Sequence, residues 1–491
     1  MGDEVLDTTF SRESRQKYRD KVKLCLDVFA RMLSESRFDP DRRSIGLEIE
    51  LNLTEETGDP ALANAHVLEL IADEDFQTEL AQFNIEINIP PRKLEGGVFS
   101  ELEETIRRDL NQAETQAQKA HAHMMTIGIL PTLTEDLLNG EALSANPRYK
   151  LLNEQIFAAR GEDLEIDIAG VERLAILADT IAPEAACTSV QLHQMVDPTR
   201  FGAVWNAAQA IAGIQLAIGA NSPFFFGREL WRETRIALFE QTTDTRPEEL
   251  KAQGVRPRVW FGERWITSIF DLFEENVRYF PALLPVVEDE DPTAVLESGG
   301  APRLQELRLH NGTIYRWNRP IYDIARGRPH LRVENRVLPA GPTIVDTLAN
   351  AAFYYGLVRV LVEDDRPIWT QMSFSAACEN FYAGAREGID ARVYWPGVGE
   401  APASELVLRR LLPMARDGLG RWGVDSADAD RLLEIVERRC VEGTNGAAWQ
   451  AAAFHRLYDR LDRADALREM TVGYREHMHS NEPVHTWPLP S

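Results

Sequence analysis

The sequence predicts an α+β fold with a helical C-terminal region. Five short runs show the alternation of polar and apolar residues, or the enrichment in β-branched residues, that is typical of strands. These runs are residues 44–53, 83–89, 189–196, 305–309 and 330–337. Longer segments between them place apolar residues at helical spacing, which predicts amphipathic or buried helices.

The predicted helices alternate with these strands and dominate the last part of the chain. They are residues 12–36, 100–126, 197–219 and 343–363, together with most of the chain after residue 400. Ser100 is expected to cap the second helix, because Glu101 and Glu103 follow it and favour the positive end of a helix. Turn residues, acidic runs and prolines predict loops at 54–63, 133–148 and 286–302.

Composition excludes several classes of protein. The formal net charge of −25 over 491 residues argues against broad nucleic-acid binding, which needs clustered Lys and Arg. No run of 18 apolar residues occurs, so no membrane span is expected. The first 20 residues lack the pattern of a secretion signal, which makes the cytoplasm the expected location. Four widely spaced cysteines fit neither a zinc site nor a disulfide framework, and we expect reduced thiols.

Two of the predicted strands carry acidic and amide side chains on one face. In an extended chain successive side chains point to opposite faces, so the apolar residues of both strands share the other face. The polar sets are Glu48, Glu50 and Asn52 in the first strand and Asn84, Glu86 and Asn88 in the second. Carboxylate and carboxamide oxygens are ligands suited to magnesium. A solvated acidic surface remains the alternative interpretation for either strand alone.

Two further strands add a histidine and two arginines. Gln191 and His193 share one face of the third strand, and Arg332, Glu334 and Arg336 share one face of the fourth. A structural histidine and a surface ladder of ion pairs are the alternatives for these two patterns.

Together these faces would repel one another unless cations lay between the carboxylates. Bound magnesium would relieve that repulsion, and Arg332 and Arg336 would be placed to meet phosphate oxygens or a substrate carboxylate. The sequence has no Gly-x-x-x-x-Gly-Lys-Ser/Thr phosphate loop and no nucleophile elbow. Nucleotide phosphates would therefore have to be bound through metals and arginines.

At these residues the sequence resembles the glutamate-cysteine ligase and carboxylate-amine ligase superfamily. The matching segments keep their order from about residue 40 to residue 365, with a looser match at 444–450. They are Gly46-Leu47-Glu48-Ile49-Glu50, Glu86-Ile87-Asn88, Gly128-Ile129-Leu130-Pro131, Val190-Gln191-Leu192-His193, Asn221-Ser222-Pro223-Phe224, Arg235 and Arg332-Val333-Glu334-Asn335-Arg336.

The resemblance implies a glutamine-synthetase-like fold, in which a curved, mainly antiparallel sheet flanked by helices forms an active-site funnel for ATP and magnesium ions. It implies an N-terminal helix at 1–40, a catalytic domain at 41–365 and a helical C-terminal region at 366–491 that packs on the catalytic domain. The implied reaction is ADP-forming. Glutamate's γ-carboxylate attacks the γ-phosphoryl group of ATP, and the amine of a second amino acid, with cysteine favoured, displaces the resulting acyl phosphate.

The resemblance also implies roles for single residues. Arg336 would stabilise the transferring phosphoryl group, with Glu50 as the second catalytic residue. The residues that would hold magnesium are Glu48, Glu50, Glu86, His193 and Glu334. Arg235 would bind the acceptor's carboxylate, although Arg232 lies three residues earlier and is an alternative. The other residues expected to bind substrate are Asn88, Gln191 and Arg332.

Several points stay open at this stage. The bulky run Phe224-Phe225-Phe226 departs from the small residues found after this turn in several family members, so the identity of the acceptor stays open, with other amines as alternatives to cysteine. A mixed polar and aromatic segment contains Arg308, Arg316 and Arg319, whose roles are not assigned. A member that binds nucleotide or amino acid without turnover is a second hypothesis, and a phosphotransferase of the guanidino-kinase type is a third. The oligomeric state is not predicted.

Overall fold

The computed structural model describes residues 10–39 and 43–491. It confirms the α+β class, with a curled antiparallel sheet and a helical C-terminal region. The strands are β1 (Ser44–Thr54), β2 (Phe76–Thr78), β3 (Asn84–Lys93), β4 (His123–Met125), β5 (Leu164–Ala169), β6 (Arg173–Ala178), β7 (Val190–Val196), β8 (Phe224–Phe225), β9 (Arg228–Glu229), β10 (Val259–Trp260), β11 (Tyr315–Arg316), β12 (Asn318–Ala325), β13 (Arg328–Asn335), β14 (Arg392–Trp395) and β15 (Gly399–Pro402).

Helices flank the sheet and form most of the chain after residue 343. They are α1 (Arg12–Ser34), α2 (Asn64–Ile71), α3 (Val98–Ala117), α4 (Pro147–Arg160), α5 (Phe201–Gly219), α6 (Thr234–Thr242), α7 (Glu248–Ala252), α8 (Ile269–Tyr279), α9 (Pro292–Glu297), α10 (Gln305–Asn311), α11 (Ile344–Glu363), α12 (Phe374–Glu387), α13 (Ala403–Leu406), α14 (Leu412–Trp422), α15 (Ser426–Glu442), α16 (Gly446–Tyr458) and α17 (Arg463–Ser480).

The central sheet has the strand order β12-β13-β7-β1-β3-β2, and β4 pairs with the end of β1. Every pairing in it is antiparallel. Residues directly opposite each other in such a pair point to the same face. The register sets Glu50 opposite Glu86, and Glu48 opposite both Asn88 and Gln191. Glu334 lies opposite His193, so the polar residues of all four strands share one face.

The other face of the sheet is the core. The alternating apolar residues of β1 and β3 are buried, as their pattern predicts, and α5 and α11 lie in the same continuous core. The helical stretch Pro198–Gly219 is long and apolar enough to cross a membrane. In the protein 94% of the apolar 18-residue window within that stretch is buried by other segments, which is the environment of a core helix.

The C-terminal region docks on the turn that follows α5. The side chain of Gln450 donates to Oδ1 of Asn221 at 2.8 Å, and the Ala447 N–H donates to the Ala220 carbonyl at 2.9 Å. Gly446 faces Asn221 so closely that an added Cβ would overlap the amide of that side chain. The segments 221–224 and 444–450, both part of the sequence resemblance, therefore form one contact.

Several helices and loops differ from the prediction. Residues 305–309 were expected to form a strand but belong to α10, since a short apolar run fits either element and tertiary contacts decide. The carboxylate of Glu306 in this helix accepts from the Glu288 N–H at 2.8 Å. The predicted loop at 286–302 contains α9, whose N-cap is Asp291.

The second predicted helix is wrong at both ends. It begins at Val98, and Ser100 bonds Asp428 of α15 instead of capping it. It ends at Ala117, and the chain then forms β4. The helical C-terminal region also includes the hairpin of β14 and β15. The domain boundaries at residues 40 and 365 stay a prediction, because one hydrophobic core runs through the described chain. All four cysteines are free.

Helices α11 and α14 approach each other through glycines, which gives a test of this packing. In the Gly418→Ala variant the new Cβ would overlap the carbonyl oxygen of Gly356, so we expect a destabilisation of about 1–3 kcal/mol. Gly420→Ala on the same helix is the control, because nothing lies within 4 Å of its Cβ position and Ala is the better helix former. Urea denaturation measures both. Equal stability of the two variants would contradict the close approach.

Candidate active site

A cavity of about 290 Å³ opens on the polar face of the sheet. Strands β1, β3, β7 and β13 form its floor, and α4, the segment 184–189 and the residues around α10 and β12 form its walls. Its charged lining residues are Glu48, Glu50, Glu79, Glu86, Arg148, Glu184, Arg235, Arg308, Arg319, Asp323, Arg332, Glu334 and Arg336. Four of the five predicted metal ligands line the cavity, and the fifth, His193, lies beside Glu48.

One group of carboxylates lies where β1, β2 and β3 meet. Oxygens of Glu50, Glu79 and Glu86 lie within 4.8 Å of one another. Burial, with the negative charges of Glu48 and Glu50, raises the pKa of Glu86 to about 7. Burial beside Glu86 and Glu50 raises the pKa of Glu79 well above its ordinary value. The three groups therefore resist being ionised together, which a bound cation would reverse.

Glu50 is held in place by strand β7. Its carboxylate accepts from the Ser189 N–H at 2.5 Å and from the side chain of Gln191 at 2.9 Å. Burial is the largest influence on this carboxyl and raises its pKa, although Arg336 and the two hydrogen bonds act in the opposite direction. With Glu50 only 7% exposed and Glu86 2% exposed, the alternative of a solvated acidic surface is wrong.

A second group joins β1, β7 and β13. Nε2 of His193 lies 3.0 Å from Oε1 of Glu48, but neither ring nitrogen of His193 makes a hydrogen bond in the described chain. Burial alone would raise the pKa of Glu48, yet the nearby charge of His193 outweighs it and lowers that pKa to about 2. A buried imidazole without a hydrogen-bond partner, next to carboxylates, fits a metal ligand.

Arginines neutralise the β13 side of the cavity. Arg319 donates to Glu334 at 2.9 Å, and Arg336 donates to the other oxygen of Glu334 at 2.8 Å. Despite burial, these two guanidiniums lower the pKa of Glu334. Arg336 also donates to the side-chain oxygen of Gln191 at 2.5 Å. Glu334 is 1% exposed, so the alternative of a surface ion-pair ladder is wrong.

Arg235 is the second residue of α6 and lines the cavity. Its guanidinium donates to the Val337 carbonyl at 2.5 Å and to Glu233 at 3.2 Å, and it lies 5.6 Å from the ring centre of Trp317. Arg232 does not line the cavity and pairs with Glu229 at 2.8 Å. The position of Arg235 therefore fits the predicted substrate-binding arginine better than that of Arg232.

Of the remaining residues singled out in the sequence, some line the cavity and others do not. Arg332 lines the cavity beside Asp323, whose carboxylate also pairs with Arg308 at 3.4 Å. Asn88 donates to Glu86 at 3.0 Å but is not among the residues that line the cavity. Arg316 is also outside the cavity lining, buried beside Glu275 and Trp260.

Sequence reasoning missed three carboxyls of the cavity, which are Asp323 of β12 and two residues beside or within very short elements. Glu79 follows β2, which has three residues and is too short to predict as a strand. The register of β2 with β3 sets Gln77 opposite Glu86, which places Glu79 near that carboxyl. Glu184 lies in a single helical turn, Ala182–Ala186, before β7. Neither has a sequence pattern of its own, so only the tertiary fold could identify them.

The residues present fit divalent cations on the chemistry of their donor atoms. One candidate set consists of the carboxylates of Glu50, Glu79 and Glu86, and the other consists of Glu48, His193 and Glu334. Hard oxygen donors of this kind, with one imidazole, are ligands that magnesium or manganese accepts.

The raised pKa values give the metal-free protein a specific dependence on pH. Between the ordinary value of 4.5 and about 7 for Glu86, the folded protein holds protons that the unfolded chain has released. The free energy of unfolding should therefore fall as pH rises from about 5 to about 8. Because magnesium binds ionised carboxylates, millimolar Mg²⁺ should raise the melting temperature more at the upper end of this range than at the lower.

Thermal melts with EDTA or Mg²⁺ measure this effect. Glu79→Gln should weaken both the fall with pH and the response to Mg²⁺, since it removes one carboxylate of the set. Glu74→Gln is the control, because Glu74 is exposed, five residues earlier in the chain. A magnesium response that is equal in the two variants would remove Glu79 from the metal site.

Comparisons with known proteins bear on the family and the fold of the chain. The model of glutamate-cysteine ligase family 2 matches residues 44–474. The structure of a glutamate–cysteine ligase from Francisella tularensis in complex with AMP is similar, with a TM-score of 0.56, 12% identity, and coverage of 93% of this chain and 91% of that one.

A bifunctional glutathione synthetase from Pasteurella multocida is also similar, with a TM-score of 0.50 and 13% identity. That match covers 95% of this chain and 54% of the Pasteurella chain, so this chain spans about half of that protein. At these identities the two structures show the fold alone, and no curated sequence matches the chain. Because the family model covers most of its length, the chain belongs to glutamate-cysteine ligase family 2.

Proposed function

We propose that this protein forms a γ-glutamyl amide from glutamate and an amino acid, with ATP as co-substrate and ADP and phosphate as products. Family membership supports the coarser statement, an ATP-dependent ligase. The observation that carries the proposal is the division of one cavity into a carboxylate half around Glu50 and an arginine half around Arg336. The AMP bound to the Francisella ligase supports a nucleotide as one ligand.

In this proposal Glu48, Glu50, Glu79, Glu86, His193 and Glu334 would hold magnesium. Magnesium would neutralise charge on the phosphate oxygens when bound. Arg336 would contact the transferring phosphoryl group. Its guanidinium is fixed in advance by Glu334 and Gln191, so little reorganisation is needed as charge develops. Gln191 also orients Glu50.

The chemistry needs alignment more than a protein nucleophile. A γ-carboxylate oxygen of glutamate attacks the γ-phosphorus of ATP, and ADP leaves. The acceptor's amine then attacks the γ-carbonyl carbon of the acyl phosphate, and inorganic phosphate leaves as the amide forms. The cavity supplies cationic groups for the negative charge in both steps, including Arg235, Arg319 and Arg336.

Arg235 would bind the acceptor's carboxylate from the wall of the cavity. Two of its donors already bond Glu233 and a carbonyl, which holds its position. Arg332 and Gln191 would also contact substrates, whereas Asn88 would act through its hydrogen bond to Glu86. Cysteine is the acceptor that the family supports best, and other amines are alternatives. The cytoplasmic location stays a prediction.

The two rival functions make different demands on the site. A member without turnover would bind ATP but give no product. A guanidino-kinase-type phosphotransferase would leave a phosphorylated product and would need no second acceptor. The presence of all the proposed metal ligands and of Arg336 around one cavity favours a working ligase over a degraded site.

The direct test incubates the protein with ATP, Mg²⁺, glutamate and a panel of amino acids and amines. We expect phosphate release that requires both glutamate and an acceptor, with the amide identified by mass spectrometry. Phosphate release that needs only one carboxylate or amine substrate would contradict the ligase. ATP binding in calorimetry with no product would favour the member without turnover.

Glu50→Gln should abolish this ATP turnover while the fold, followed by circular dichroism, stays intact. The amide cannot replace the negative charge that the proposed metal requires. Glu55→Gln, at the exposed position directly after the same strand, is the matched control and should keep normal turnover. Magnesium-dependent phosphate release at the normal rate in Glu50→Gln would refute the metal assignment.

A further inference from the structure

Glu184 differs from the other carboxyls of the cavity. Within residues 10–39 and 43–491 its side chain makes no hydrogen bond and no ion pair, although it lines the cavity. The other lining carboxyls each have a polar neighbour. Those neighbours are His193 for Glu48, Ser189 for Glu50, the Leu80 N–H for Glu79, Asn88 for Glu86, Arg308 for Asp323, and Arg319 for Glu334.

The surroundings of Glu184 favour a bound cation. Burial, reinforced by the charge of Glu50 and opposed by Arg336, raises its pKa to about 8. A carboxyl of this kind gains most from a positive group that enters the cavity with the substrate. Glu184 is not part of the carboxylate set within 4.8 Å, and magnesium takes about six ligands. A lone carboxylate therefore suits a monovalent ammonium group better than a metal ion.

Glu184 shares the cavity with Arg235, the proposed site of the acceptor's carboxylate. Cys187 follows Glu184 by three residues, and its thiol donates to the Arg235 carbonyl at 3.8 Å. Cys187 lines the cavity together with both of these residues. An α-amino acid carries a carboxylate and an ammonium group on one carbon. A guanidinium and a carboxylate that line one cavity complement that pair of charges.

We propose that Glu184 binds the ammonium group of the amino-acid acceptor and takes one of its protons as the amide forms. This inference rests on the proposed function and on Arg235 as the site of the acceptor's carboxylate. It assigns a catalytic role to a residue that the sequence patterns do not mark.

The proton transfer completes the second step. The acceptor enters as an ammonium ion, whose nitrogen has no lone pair to attack with. Glu184 accepts one proton, and the freed lone pair forms the C–N bond to the γ-carbonyl carbon. The C–O bond to phosphate breaks, and inorganic phosphate leaves with that electron pair. The remaining excess proton on nitrogen passes to phosphate or solvent, and Glu184 releases its own proton when product leaves.

Hydroxylamine distinguishes proton removal from the acceptor from a role of Glu184 in binding glutamate or metal. Its nitrogen is uncharged near neutral pH, so it needs no base to react. With glutamate, ATP and Mg²⁺ it should trap the acyl phosphate as a hydroxamate without help from Glu184. In Glu184→Gln we expect kcat/KM for the amino-acid acceptor to fall about 10²-fold or more, with hydroxamate formation unchanged. Glu184→Ala should likewise lose activity with the amino-acid acceptor and keep hydroxamate formation. This second variant excludes an effect of the glutamine side chain itself.

Glu154→Gln is the matched control, since Glu154 lies on the exposed face of α4, whose Tyr149 and Leu152 line the cavity. It should keep both rates. Equal loss of amide and hydroxamate in Glu184→Gln would overturn the inference and place Glu184 with glutamate or metal. Unchanged amide formation would overturn it as well. If the wild-type protein makes neither product, the proposed function itself has failed.

Discussion

Repulsion between carboxylates on one face of the sheet is the constraint on which the rest of this structure depends. Glu48, Glu50 and Glu86 share one face because antiparallel register directs their side chains to it, and Glu79 joins them from the residue after β2. In a partly buried site such charges interact far more strongly than in water. Arg319 and Arg336 neutralise the carboxylate on the β13 side, whereas on the β2 side burial and mutual repulsion raise the pKa of Glu79 and Glu86.

The part of the cavity around Arg319 and Arg336 is rigid, because Gln191 and Glu334 each make hydrogen bonds to two neighbours. Gln191 donates to Glu50 and accepts from Arg336, so its amide has one allowed orientation. One carboxylate oxygen of Glu334 accepts a hydrogen bond from Arg319, and the other accepts one from Arg336. A phosphoryl group would thus contact hydrogen-bond donors that are already oriented. The free-energy cost of orienting them is met during folding, not during the reaction.

Periodicity in the sequence was enough to predict the fold class and most of the polar face. Alternation in β1, β3, β7 and β13 identified the side that carries Glu50, Glu86 and Glu334, since a strand offers only two faces. It failed at residues 305–309, where five residues fit either a strand or a helix. It could not find Glu79 or Glu184, whose positions depend on a three-residue strand and a single helical turn.

Docking of the C-terminal region on the turn at Asn221 has a consequence for how the protein is made. The side chain of Asn221 accepts a hydrogen bond from Gln450 and donates one to the hydroxyl of Tyr474. Its backbone N–H donates to Glu233, which in turn accepts from Arg235. The wall of the cavity therefore lacks its support until residues 450 and 474 have left the ribosome. A nascent chain that stops short of them would hold the sheet and its carboxylates but an unsupported Arg235, so the cavity takes its final form only after these residues have been made.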